Sequence, residues 1–168
     1  MTSSILQKQL EAARFEHGIS YVEHEYSGNK KLQTMELAHL NQILTGSPKD
    51  PWRFEAVQVN LPTGHSQHFN VITNPFARAR ELLSLASIME GNDDYIAAAQ
   101  YLYTHLVKEH LFKDANRRTA ALAIFWILLS NNVKADPHAL IQLKVGNLHD
   151  PKEYADYINR LEVLIQKF

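Results

Sequence analysis

The chain has 168 residues, 17 lysines and arginines against 18 aspartates and glutamates, a formal net charge of -1, and no cysteine. That length suits one domain with its own core; the charge balance excludes a broad nucleic-acid footprint and a polybasic membrane handle, and the lack of cysteine excludes a disulfide scaffold, a thiolate zinc site and a cysteine nucleophile. A hydrophobic fraction of 45% is that of an ordinary globular protein, the opening MTSSILQKQLEAARFE is too polar for a signal peptide, and no apolar run is long enough to span a bilayer, so a soluble, cytoplasmic protein is expected.

The reading is mainly helical, with no repeat or linker. Leu6, Leu10 and Ala13, with Ile5, Ala12 and Phe15 beside them, predict an amphipathic helix over residues 3–16. GISYVEHEYSGNKK follows as an irregular stretch with a turn signal at Ser27-Gly28-Asn29. Thr34 is placed to cap a helix to Leu44 with Leu37, Leu40, Ile43 and Leu44 inward, so the N-terminal helices cover 3–45. Between Trp52 and Thr73 the period changes. Phe54, Val57, Val59 and Leu61 precede Pro62-Thr63-Gly64, and Phe69 and Val71 follow it, which predicts a β-hairpin lying as a flap on a helical body.

Helices resume at Pro75–Met89, 93–109 and 118–130, together the core block 75–131. In the second of these, Ile96, Ala99, Leu102, Tyr103, Leu106 and Val107 form a stripe. The third contains TAALAIFWILL, apolar nearly all round, and should be the buried central helix. Asn74-Pro75, Asp136-Pro137 and Asp150-Pro151 each read as a cap followed by proline at the first helical position, and Glu153 completes a capping-box pattern at the last. The C-terminal helices span 137–167, with Tyr154, Tyr157, Ile158, Leu161, Leu164, Ile165 and Phe168 on one face, packed on the core or partly free for a partner or a second copy.

The densest polar cluster, His110-Leu111-Phe112-Lys113-Asp114-Ala115-Asn116-Arg117-Arg118, joins the stripe helix to the all-apolar one. A chain entering a helix N-terminus presents free N–H groups and the positive end of the dipole, a ready anion site. Arg117 and Arg118 sit at that same positive end, which is unfavourable unless an anion is expected. His110, with an ordinary pKa of about 6.5, can take a proton from a hydroxyl at neutral pH. Asp114 is a hard oxygen ligand suited to Mg²⁺ held jointly with phosphate. Asn116 can donate to a phosphate or orient the loop, and Phe112 anchors the loop in the core. Such a set suits phosphoryl or nucleotidyl transfer. His65 and His68 flank the flap tip, His105 lies off the helical face of His110, and Trp52 and Trp126 read as core anchors, with Tyr101 and Tyr103 in the core or at its rim.

HLFKDANRR resembles the signature of the Fic/Doc (Fido) family, His-x-Phe-x-(Asp/Glu)-(Gly/Ala)-Asn-(Gly/Lys)-Arg. His110, Phe112, Asp114, Ala115, Asn116 and Arg118 all match it, and the flanking helices and upstream hairpin agree over residues 34–133. The resemblance implies a single compact helical Fic-type domain with a hairpin flap over the active-site loop. It implies transfer of AMP from ATP to a hydroxyl of a target protein. His110 would be the general base, Asp114 the Mg²⁺ ligand, and Asn116, Arg117, Arg118 and the loop backbone at Ala115 the phosphate-binding groups. The flap residues Val57, Val59, Thr63, Gly64, His65 and Phe69 would dock an extended target segment by main-chain pairing.

Two positions depart from the AMP-transferring pattern. Arg117 stands where those members carry glycine, and Ala121 where they carry a second arginine. The Doc branch, which has Ala-Asn-Lys-Arg and also lacks that arginine, transfers the γ-phosphate instead. A protein kinase or toxin of that kind, held by an antidote or other regulatory partner, is the alternative. A non-catalytic nucleotide- or partner-binding module is the third. Glu23 stands in a partial match to the family's inhibitory-helix pattern, but with Ala121 the usual salt bridge to arginine cannot form. Neither direct nucleic-acid binding nor membrane contact is expected. Oligomer formation and delivery to a host or another cell are left open.

Overall fold

The computed structural model describes residues 4–60, 64 and 66–168. Seven helices are seen among them: α1 (Ile5–Ser27), α2 (Thr34–Thr45), α3 (Pro75–Gly91), α4 (Tyr95–Glu109), α5 (Asn116–Ser130), α6 (Pro137–Gln142) and α7 (Pro151–Gln166). A two-stranded antiparallel hairpin, β1 (Val57–Asn60) and β2 (Ser66–Phe69), lies between α2 and α3. The architecture is the expected helical body with a small flap. No described helix is long and apolar enough to cross a membrane.

The all-apolar run forms the centre. Every residue of α5 from Thr119 to Leu128 is buried, because α1, α2, α4 and α6 pack around it. A helix without a polar face has no solvated side to present, and surrounding it with four others is how the fold removes that surface from water. α3 packs on α4 and α2, and α7 closes the opposite side of α4. Tyr103 and Tyr157, both fully buried, stack at 5.2 Å across the α4–α7 contact.

Side-chain caps set most of the helix starts. Ser4, Asn74, Asp94, Asp136 and Asp150 each accept a backbone N–H of the first turn of α1, α3, α4, α6 and α7. Glu36 reaches back to the Gln33 N–H at α2, so Gln33 rather than Thr34 is the cap there. At α7 only half of the expected capping box forms, since the Asp150 N–H goes to the Asn147 carbonyl instead of to Glu153.

α1 corrects the reading most. It runs eleven residues past Glu16, and its buried stripe is Phe15, Gly18, Ile19 and Val22, while Leu6 and Leu10 are exposed. Gly18, the first residue of the stretch expected to be irregular, is a close-contact residue: a Cβ there would meet Leu122 Cδ1 of α5 at 2.5 Å. Packing against α5 outweighs the roughly 1 kcal/mol that glycine costs a helix. α5 begins at Asn116, two residues earlier than expected. On α7, Tyr154 is exposed, whereas Tyr157, Leu161 and Ile165 are buried as anticipated.

The hairpin is shorter than the period suggested. Val57 pairs with Phe69 and Val59 with Gln67, and these half-buried residues alternate with exposed Gln58, Asn60, Ser66 and His68. Phe54 and Val71 lie outside the strands and are exposed. Of the expected turn Pro62-Thr63-Gly64, Pro62 and Thr63 fall outside the described residues, as do Leu61 of the first arm and His65 beside the tip; Gly64 is exposed with φ +85°. The segment before the hairpin pairs elsewhere. Trp52 forms an antiparallel bridge with Phe112, through Arg53 N–H to the Leu111 carbonyl at 2.9 Å and Lys113 N–H to the Pro51 carbonyl at 3.0 Å.

Candidate active site

The polar cluster forms a tight loop between α4 and α5. It opens and closes on residues in the left-handed region: His110 at φ 55°, the C-cap of α4, and Ala115 at φ 58°, the N-cap of α5. A non-glycine residue there costs roughly 1–2 kcal/mol and persists only where its surroundings hold it. The surroundings here are specific. Phe112 is fully buried and stacks on Trp52 at 4.7 Å, so the ring anchors the loop in the core. Asn116, also buried, closes the loop from inside: its Oδ1 accepts the Phe112 N–H at 2.9 Å, and its Nδ2 donates to the Phe112 carbonyl at 3.0 Å. Of the two roles expected for Asn116, this is the loop-orienting one. Asn41 of α2 adds a brace, donating to the Asp114 carbonyl at 2.8 Å and to Thr119 Oγ1 at 3.0 Å.

With the loop held this way, α5 begins without a side-chain cap on its first-turn N–H groups, unlike α1, α3, α4, α6 and α7. The first N–H with an acceptor is that of Thr119, bonded to the Ala115 carbonyl. The N–H groups of Asn116, Arg117 and Arg118 have no acceptor among the described residues, at the positive end of the dipole of the central helix, where negative charge is favoured.

Asp114 is exposed. One carboxylate oxygen accepts the Ala115 N–H at 2.7 Å, which fixes the side chain and leaves the other oxygen outward. No group of three or more acidic or histidine ligands occurs among the described residues. A single carboxylate fits Mg²⁺, which takes one or two protein carboxylates and fills its octahedron with water and phosphate oxygens. It would not suit a metal held by protein alone.

His110 is half-buried rather than sealed. Burial, then the charge of Arg53, push its pKa down to about 4, and Asp114 pulls in the opposite direction. The imidazole is therefore neutral at physiological pH, with a lone pair free to accept a proton. An arriving anion would raise its basicity, because negative charge favours the protonated ring. Phe69, at the end of β2, stacks on it with ring centroids 4.4 Å apart. The flap is thus docked directly over the imidazole, with Val57 opposite Phe69 in the ladder and Val59 next along. Arg53, Phe54, Glu55, Ala56, Val57 and Lys113 line a cleft of about 270 Å³ beside this strand.

The two arginines diverge, since consecutive helical residues point about 100° apart. Arg117 is exposed on the side of Tyr103, where its charge partly offsets the burial that raises that hydroxyl. Arg118 faces the other way, into a cleft of about 270 Å³ with Lys8, Glu11, Phe15 and His138, and its Nη1 is buried without a partner among the described residues. Glu23 is not brought to the loop. α1 runs alongside α5 in the same direction, with Gly18 against Leu122 and Tyr21 against Trp126, so exposed Glu23 lies beyond the level of Trp126, about 15 Å along α5 from Arg118. Ala121 is fully buried. His105 pairs with Glu109 at 3.0 Å, and Glu109 takes a bidentate contact from Arg78 at 2.6 and 3.0 Å, a brace on the last turn of α4.

Arg53 is the residue that the sequence analysis missed. It is 3% exposed, and its guanidinium donates to the carbonyls of His110 (2.5 Å), Glu109 (3.2 Å), Asn70 (2.9 Å) and Glu55. A lone arginine between Trp52 and Phe54 carries no periodic or motif signal; its partners lie up to 57 positions away.

Comparison with solved structures places this arrangement in a known fold. The chain is similar over 99% of its length to a Fic domain containing signaling protein from Bacteroides thetaiotaomicron (TM-score 0.71, 14% identity, 72% of that chain). It is also similar to the IbpA Fic2 domain in complex with adenylylated Cdc42 (TM-score 0.67, 15% identity, 58% of that chain) and to Fic-1 from C. elegans (TM-score 0.62, 18% identity, 52% of that chain), over 99% of this chain in both cases. The chain thus spans little more than half the length of these two. No curated protein matches it in sequence. The model of the Fic/DOC family, however, matches residues 28–128, which include the flap, the loop from His110 to Arg118 and most of α5. A motif loop braced in this way between two core helices, under a hairpin, is explained by common descent, and the chain belongs to the Fic/DOC family.

Proposed function

We propose that this protein transfers AMP from ATP to a hydroxyl side chain of a target protein. The observation that carries the reading is the loop itself: a neutral imidazole at one end, an uncapped helix N-terminus at the other, and an outward carboxylate between them. His110 takes the proton of the target hydroxyl as that oxygen attacks the α-phosphorus and pyrophosphate leaves. The free N–H groups at the start of α5 receive phosphate oxygens, with Arg117 near enough to the same helix end to add charge. Asp114 would hold Mg²⁺, whose charge, when bound, offsets that of the phosphates. The target segment would lie extended along the flap, at Val57, Val59 and Phe69, its hydroxyl presented to His110 by backbone pairing. The neighbour solved in complex with adenylylated Cdc42 supports the choice of a protein as acceptor.

A second reading is transfer of the γ-phosphate. It is favoured by Arg117, whose long side chain occupies the position where AMP-transferring relatives have glycine, and by Ala121, buried where they carry arginine. The two are separated by incubating the protein with a cell lysate, Mg²⁺ and ATP labelled at either the α or the γ phosphorus. Label moving to protein from the α position, with a mass gain of one AMP on the acceptor, supports the first reading. Label moving only from the γ position supports the second. Transfer that His110→Ala leaves unchanged, or no transfer from any nucleotide tried, overturns both.

A further inference from the structure

Arg53 is a buried cation without an acidic partner among the described ion pairs. Burying a charge is costly, and the cost is visible in the lowered pKa of the guanidinium, due to desolvation. What it receives in return is four carbonyls, and they belong to two bodies. Glu109 and His110 are the last carbonyls of α4, the negative end of that helix dipole. Glu55 and Asn70 flank the hairpin, one before β1 and one after β2. Its own N–H extends the contact through the Leu111 carbonyl. A two-stranded hairpin is marginal by itself, and this one is tied at both stems by one side chain to the residue that carries the imidazole. Phe69, which precedes Asn70, lies 6.0 Å from the guanidinium and stacks on His110.

We propose that Arg53 is a positioning residue that sets the height of the flap over His110, and so the place at which a flap-bound target presents its hydroxyl. Its fork geometry matters more than its charge, because the planar donors reach several carbonyls at once, whereas an ammonium on a flexible stem cannot. Phe69 marks the correct position: with the flap seated, its ring lies over the imidazole. This inference rests on the reading of His110 as the acceptor of the target's proton, and its test has an arm independent of that reading.

The test compares wild type, Arg53→Lys and Phe69→Leu. The ring protons of His110 are observed by NMR without target or nucleotide. In wild type they carry an upfield ring-current shift from Phe69, and Phe69→Leu removes it. Arg53→Lys is expected to lose most of the same shift with Phe69 still present. In the transfer assay, both variants raise the target KM and lower kcat/KM, by roughly 100-fold for Arg53→Lys, the scale of a misplacement of about 1 Å. Affinity for a fluorescent ATP analogue stays within about two-fold, a split that general unfolding would not produce. If Arg53→Lys keeps the His110 shift and the target KM of wild type, the proposal fails. Should Arg53→Lys not fold, Arg53→Gln decides, because it removes the buried charge and the fork together while leaving Phe69 in place: a His110 shift and a target KM like those of wild type in that variant are equally fatal. Absence of transfer in all three forms defeats the proposed reaction alone, and the NMR comparison still judges the seating of the flap.

Discussion

Replacing Asn116 by alanine tests the idea that the motif asparagine is first a structural part. Its amide makes two bonds to the backbone of Phe112, at 2.9 and 3.0 Å, in a place where both residues are buried. Alanine removes both and leaves a buried N–H and a buried C=O, each costing roughly 1–3 kcal/mol when unpaired. A few tenths are regained from helix propensity at the first turn of α5. The expected loss is therefore about 3 kcal/mol, which for a chain of this size lowers Tm by about 6–12 °C. A domain with a typical stability of about 5–15 kcal/mol remains folded at 25 °C. Urea unfolding followed by far-UV circular dichroism measures the change, with an unaltered m value as the check that the same transition is compared. Asn116→Asp sharpens the test. It keeps the acceptor for the Phe112 N–H but sets a carboxylate oxygen against the Phe112 carbonyl, so it should also destabilise at neutral pH, even though its size is unchanged. A loss below 1 kcal/mol for both variants would refute the assigned role and return Asn116 to direct phosphate binding.

Three other outcomes follow from the same geometry. Ala115 sits at φ 58°, so Ala115→Gly should stabilise the fold by about 1 kcal/mol, seen as a higher urea midpoint; a lower midpoint means that the left-handed cap is not strained. Gly18→Ala places a Cβ 2.5 Å from Leu122 Cδ1 in the core, and overpacking of about 1–3 kcal/mol outweighs the helix-propensity gain of about 1 kcal/mol, so Tm should fall; a rise would show that α1 and α5 are not in such close contact. His110, held down to about 4 when folded against about 6.5 when unfolded, binds fewer protons in the native state, so its contribution to stability is complete above pH 6.5 and is lost as pH falls from there towards 4; an NMR titration in which the His110 ring protonates near 6.5 would contradict this.

The amino-acid sequence by itself determined the parts whose partners are near in the chain. The residues from His110 to Arg118 are contiguous, so a motif could expose the loop, and the caps at Asn74, Asp136 and Asp150 act on N–H groups two or three residues on. The all-apolar composition of α5 likewise dictated its central place, since no other position removes such a surface from water. Tertiary structure decided what depends on distant partners. Gly18 became a helix contact only because Leu122 lies against it. Arg118 left the loop for the α1 side because successive helical residues point in different directions. Arg53 acquired its role from carbonyls 17, 56 and 57 positions away, and the stacking of Phe69 on His110 joined a strand to a helix cap. Local rules describe one chain segment and the water around it; a buried guanidinium among four carbonyls exists only after several segments have met, and that is why it left no mark on the pattern of residues.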